Sequence, residues 1–165
     1  MPAYNVAILD EELNELPLNT QGAFAIKGLG MFSGYLFPQK SIEEVLVNGW
    51  LLTGDIAMID RDGFVYIKGR TKSMINVSGN KVFPEEVEAI LKLYPHVEDA
   101  RVYRGTHPLT GELVEAEIVL KQRAEKNTEA IIAHCRLHLA SYKIPQRLFF
   151  VEAIQKTNTG KTKRS

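Results

Sequence analysis

Near the end of the chain, Gly160, Lys161 and Thr162 follow one another in the order that closes a Walker phosphate-binding loop. That loop needs a second glycine five residues before the Gly-Lys pair and a helix after it. The earlier position holds Gln155, and only Lys163, Arg164 and Ser165 follow Thr162, so a Walker loop is excluded. A single cation between small residues remains, with Lys156, Lys163 and Arg164 around it, equally compatible with a solvated basic tail. A second stretch, GWLLTGD, ends an apolar strand on a Thr-Gly-Asp turn and presents the Asp55 carboxylate. Two free carboxylate oxygens can accept from two neighbouring hydroxyls, the pattern of a ribose diol, or can cap their own loop. In a third stretch, GRTKSMINVSGNKV, Gly69 and Arg70 leave a strand, Lys72 stands at a change of architecture, and Gly79 occupies a turn. A missing side chain there lets a ligand pass close to backbone, although a linker followed by an ordinary hairpin has the same sequence.

The elements that must position these residues differ between the two halves. From Met1 to about Lys68, short strand-like runs (YNVAIL, GAFAIKG, IAMID, FVYIKG) alternate with Asn, Pro, Gly and Asp clusters. DRDG supplies hairpin residues, and Ser41 with Glu44 forms a capping box ahead of one short helix. After Arg70, SMINV and KVF flank a Ser78-Gly79-Asn80 turn, and PEEVEAILKLYP predicts a helix with Pro84 and two glutamates in its first turn. VEDARVYRG and ELVEAEIVLK predict strands, the second with Glu112, Glu115 and Glu117 on its solvated side. A second helix runs from Thr128 as N-cap to Ala140, and RLFFVEA is a last strand. Trp50, Phe64 and Tyr66 alternate as core residues of the first half.

Composition bounds the function classes. With 165 residues, 45% hydrophobic and 24% charged, the chain can bury a core as one domain or two small ones. Twenty basic residues balance 20 acidic ones, so no global field attracts nucleic acid or an acidic membrane. Cys135 is the single cysteine, which excludes an internal disulfide and fits a reducing compartment, the cytoplasm by default. No apolar run approaches the roughly 18 residues of a transmembrane segment, and the first residues lack the pattern of a secretion signal. His134 and His138 are spaced i, i+4 beside Cys135, but no third ligand accompanies them, and no metal site is expected in this chain.

Taken in order, GWLLTGD, DGFVYIKGR, SGNKVFPEEVE, YKIP and TNTGKTKR resemble the C-terminal part of the adenylate-forming superfamily: acyl-CoA synthetases, adenylation domains of peptide synthetases and luciferase. The upstream segments MPAYNVAILDEELNELP and GMFSGYLFP resemble it as well, so the resemblance covers essentially the whole chain. It implies an α+β fold: a small β-barrel subdomain over residues 1–69, the last part of a large N-terminal domain, then a two-layer α/β lid domain over 70–165 hinged near Lys72. It implies Asp55 and Arg70 as nucleotide-binding residues, Lys161 as the catalytic lysine of adenylation, and Gly79 as the lining of a pantetheine tunnel. The activity implied is AMP-forming ligation of a carboxylic acid, a fatty acid above all, to CoA, with ATP and Mg2+ whose metal ligands lie outside this chain. The missing N-terminal domain of the same enzyme becomes a partner, and the isolated chain is expected to be inactive. An adenylation domain of a peptide synthetase, or a non-catalytic module binding CoA or a nucleotide, are the alternatives. Two positions depart from the family pattern: Gln155 replaces a usual proline, and Asn76 replaces a lysine of several relatives.

Overall fold

A computed structural model of the protein describes residues 4–108 and 111–156. The chain falls into two compact units, Met1–Lys72 and Ser73–Ser165. In the first unit, β1 (Tyr4–Leu9), β2 (Gly22–Gly28), β5 (Leu51–Ile59) and β6 (Val65–Arg70) form an antiparallel sheet in the order β1-β2-β5-β6. Between β2 and β5 lie the hairpin of β3 (Gly34–Leu36) and β4 (Gln39–Ser41) and the short helix α1 (Ile42–Val45). Ser41 caps α1, and Glu44 Oε2 accepts from the Ser41 N–H at 2.8 Å. Ala7, Leu9 and Ala25 form the small core, with Leu13 and Trp50 against it.

The expected barrel is absent from the described residues, where β1 and β6 remain the edges of an open sheet. Short alternating strands predict a sheet with one buried face, but closure requires the first and last strands to pair, and this sheet has only four strands. Phe64 and Tyr66, expected in the core, are exposed. They stand at and just after the end of a turn built on Asp60, whose Oδ1 accepts from the N–H groups of Asp62 and Phe64 at 2.9 Å each. The Tyr66 hydroxyl donates to Asp60 Oδ2 at 2.8 Å, so the ring stays outside with its polar tip engaged.

A 3-10 turn at Thr71–Ser73 spans the boundary between the units, and the second contains β7 (Ile75–Val77) and β8 (Asn80–Val82), then α2 (Pro84–Leu93), β9 (Val97–His107), β10 (Gly111–Leu120), α3 (Thr128–His138) and β11 (Arg147–Phe150). β10 is central. It pairs antiparallel with β9 along its length, parallel with β11 at Glu115–Ile118, and with β7 at the single pair Gly111–Val77. Alternate residues Ala100 and Val102 of β9 and Val114, Ala116 and Ile118 of β10 meet Val87 and Leu91 of α2 and Ile131 and Cys135 of α3 in one core. Glu88 of α2 is buried beside them, and its Oε1 accepts from the Val102 N–H at 2.9 Å. The N-cap of α3 is Asn127 rather than Thr128: Asn127 Oδ1 accepts from the Ala130 N–H at 2.9 Å.

The opposite face of β10 departs from the expected solvated row. Glu115 is buried and pairs with Arg147 at 2.9 Å, and Glu117 pairs with Arg101 at 3.0 Å. Neighbouring strands bring arginines alongside these carboxylates. Gly105 stands where a Cβ would collide with the Glu115 carboxylate.

Cys135 is fully buried, and burial pushes its thiol up to about 11. The folded chain therefore holds about a hundredfold less thiolate than an ordinary cysteine near neutral pH. A disulfide reagent such as DTNB is expected to label Cys135 rapidly in denaturant and at least a hundredfold more slowly without it. Equal rates in both solvents would contradict the packing of α3 against the sheet.

Candidate functional site

Asp55 and Arg70 are directly opposed on β5 and β6. Two irregularities place them there. The β2–β5 ladder jumps from Ala25–Leu52 to Ala23–Ile56, and the β5–β6 ladder shifts between Ile56 and Ala57. Gly54 takes a left-handed φ of 79°, open to glycine at no steric cost, and turns the Thr53–Asp55 stretch out of the β2 ladder. Thr53 Oγ1 fills the gap. It donates to the Phe24 carbonyl at 3.0 Å and accepts from the Asp55 N–H at 3.1 Å. Arg70 Nε donates to Asp55 Oδ1 at 2.7 Å, with the arginine side chain 60% exposed and the aspartate side chain 23% exposed.

One of the two oxygens expected to be available on Asp55 is therefore taken by Arg70. A pair this accessible is worth only about 0.2–1 kcal/mol to the fold, since water screens it. What it provides is a carboxylate acceptor and a cation side by side at the end of a strand pair. That combination suits a ligand carrying both hydroxyls and phosphate.

The other sequence-predicted residues stand elsewhere. Lys72 is exposed inside the Thr71–Ser73 turn, at the end of the first unit. Gly79 belongs to the second unit, in the two-residue turn between β7 and β8, where Ser78 has φ 50° and Gly79 φ 86°. A Cβ added at Gly79 would meet nothing within 4 Å, so the turn presents bare backbone outward. Lys161 lies outside the described residues. Among the described residues, no group of three or more His, Cys, Asp or Glu side chains could hold a metal ion, and no helix is long and apolar enough to cross a membrane.

Around Gly79 the structure joins residues that the sequence pattern did not connect to it. The Gly79 N–H donates to Asn76 Oδ1 at 2.8 Å. The Asn76 N–H donates to Glu112 Oε2 at 2.7 Å, and Arg104 Nη1 donates to Glu112 Oε1 at 2.8 Å. The Asn76 N–H, followed by Arg104, holds the Glu112 carboxyl below the usual carboxylate range. The one available signal was the asparagine three residues before a turn glycine, a spacing that allows the side chain to bond the turn.

Comparison with known proteins gives the chain relatives. Residues 86–161 match the AMP-binding enzyme C-terminal domain. The chain is 35% identical over 164 residues to a long-chain-fatty-acid–CoA ligase of Yersinia pestis, covering 99% of this chain and 29% of the relative. Among solved structures it is similar to the amide bond synthetase of Marinactinospora thermotolerans, with a TM-score of 0.85, 32% identity, and coverage of 96% of this chain and 33% of that one. It is also similar to the o-succinylbenzoate CoA synthetase of Bacillus subtilis in complex with its acyl-adenylate intermediate. There the TM-score is 0.87 and the identity 26%, over 96% of this chain and 32% of that one. The chain thus spans about three-tenths of the length of the curated relatives it matches.

Proposed function

Given that the chain belongs to the adenylate-forming superfamily, we propose that it is the C-terminal portion of an AMP-forming acyl-CoA synthetase acting on a fatty acid. The observation that carries this reading is a likeness to a long-chain-fatty-acid–CoA ligase over 99% of the chain. On this reading the open sheet of the first unit is the last piece of a β-barrel subdomain, and the second unit is a lid that turns about Lys72. The remaining strands and the acyl pocket lie in the part of the relatives' length that this chain does not span.

The reaction has two halves. The carboxylate of the acid attacks the α-phosphorus of ATP, forming acyl-AMP as the bond to pyrophosphate breaks. The thiolate of CoA then attacks the acyl carbon, and AMP leaves with the electron pair of the broken mixed-anhydride bond. Asp55 accepts from the ribose hydroxyls, Arg70 orients Asp55 and faces the phosphate side, and Lys161 neutralises the charge shared by carboxylate and α-phosphate. Gly79 lets the pantetheine arm pass along backbone in the second half. Magnesium screens the phosphates when bound, but the described residues offer it no ligand cluster, so no step in this chain is assigned to it.

The test is nucleotide affinity. Asp55→Ala in the complete enzyme is expected to raise KM for ATP by about tenfold or more, since hydrogen bonds to a charged acceptor are worth about 1.5–3 kcal/mol each. Thermal stability is expected to change little, because Arg70 is well exposed and water screens the pair. An unchanged KM for ATP would remove Asp55 from the nucleotide site.

A further inference from the structure

The Ser78–Gly79 turn is tied to two strands that lie far from it in sequence. β7 meets β10 at only one backbone pair, Val77 with Gly111. The next outward-facing N–H on β7, that of Asn76, has a side chain in place of a strand partner: Glu112 Oε2 accepts it at 2.7 Å. The other Glu112 oxygen is held by Arg104 of β9 at 2.8 Å. From Asn76 the connection runs to the tip, because Asn76 Oδ1 accepts from the Gly79 N–H at 2.8 Å. On the far side of the turn, Asn80 Nδ2 donates to the Val77 carbonyl at 3.2 Å.

Ile75, Val77 and Val82 anchor the two strands in the core, but Asn76, Ser78, Gly79 and Asn80 are all exposed, so the tip itself is held by polar contacts. Strands of three residues each leave little ladder beyond Val77–Asn80 to fix the direction of that tip. The direction of the Gly79 backbone therefore depends on a polar chain from Arg104 through Glu112 and Asn76.

We propose that Glu112 is a positioning residue for the thiol half-reaction, fixing the Ser78–Gly79 turn through Asn76 while itself held by Arg104. The proposal rests on the reading of Gly79 as the residue along which the pantetheine arm passes. Glu112 touches neither nucleotide nor acid in this scheme, so its effect separates the two half-reactions.

The experiment uses the complete enzyme with chemically supplied acyl-AMP and CoA for the second half, and acid plus ATP for the first. Glu112→Gln exchanges one anionic oxygen for an amide and is expected to lower kcat/KM for CoA by roughly tenfold, the scale of one charged hydrogen bond. Acyl-AMP formation stays near the parent rate. Asn76→Ala, which breaks the chain one link nearer the tip, is expected to do the same. In both variants the Gly79 amide is expected to exchange hydrogen faster than in the parent, while amides of the β9–β10 ladder do not. Gly79→Leu is the control for the underlying reading. If Gly79→Leu leaves the thiol step intact, that reading falls and the positioning role falls with it. If Gly79→Leu blocks the step while Glu112→Gln leaves both kcat/KM for CoA and Gly79 exchange unchanged, the positioning role alone is overturned. Equal losses in both half-reactions, accompanied by a lower Tm, would likewise overturn it, leaving Glu112 only a part of the fold.

Discussion

Lys161→Ala is expected to slow acyl-AMP formation by about a hundredfold or more while leaving the reaction of supplied acyl-AMP with CoA intact. The lysine is proposed to meet negative charge gathering on the attacking carboxylate and the α-phosphate. A preorganised donor of that kind is worth about 3 kcal/mol, which corresponds to the hundredfold. The measurement is pyrophosphate release with a fatty acid for the first half and thioester formation from synthetic acyl-AMP for the second. A variant that loses both halves equally would show that Lys161 serves one composite site and that no alternation between two lid poses occurs.

Gly79→Leu carries the opposite expectation. The turn leaves open space around the added Cβ, so no clash is met there. The cost to stability comes from the left-handed φ of 86°, which disfavours leucine by about 1–3 kcal/mol. The leucine then fills the space through which the pantetheine arm is proposed to pass. Thioester formation is expected to drop at least a hundredfold, the effect of blocking a passage rather than weakening a contact, while acyl-AMP formation continues. Pre-steady-state accumulation of acyl-AMP in the presence of CoA would display the block directly. Normal thioester formation would remove Gly79 from the path.

Much of the local structure was legible in the residues. Pro84 with Glu85 and Glu86 marks the start of α2, and Ser78-Gly79 marks the turn between β7 and β8, because each uses chemistry confined to a few neighbouring positions. The start of α3 was missed by one residue: Asn127 and Thr128 are both good caps, and which one turns its oxygen inward depends on the incoming chain. The glutamates of β10 show a deeper limit. Alternation correctly places Glu115 and Glu117 away from the hydrophobic core, but whether such a face meets water or arginine depends on strand registers. Glu117 meets Arg101 sixteen residues away, and Glu115 meets Arg147 thirty-two away. Closure of the first sheet was likewise not contained in its strand pattern, since an open sheet and part of a barrel alternate in the same way.

The candidate site divides along the same line. Asp55, Arg70, Gly79 and Lys161 received their roles from ordered motifs resembling a family, while the residues alone left each one open. What no motif contained was the β5–β6 pairing that sets Asp55 against Arg70, or the link from Glu112 to the Gly79 turn. Both depend on contacts between segments whose separation in the chain hides them.

The buried Glu88 has a consequence for how the second unit meets other molecules. Among the described strands β9 pairs only with β10, so its outer side is a row of backbone groups that an extended peptide from another chain could join. Glu88 already occupies the Val102 N–H on that row. A strand adding there would have to displace the buried carboxylate from the Val102 N–H and forfeit that hydrogen bond. The glutamate thus sets an obstacle to strand addition in the middle of β9, and a helix that packs the core also covers part of the edge of the sheet.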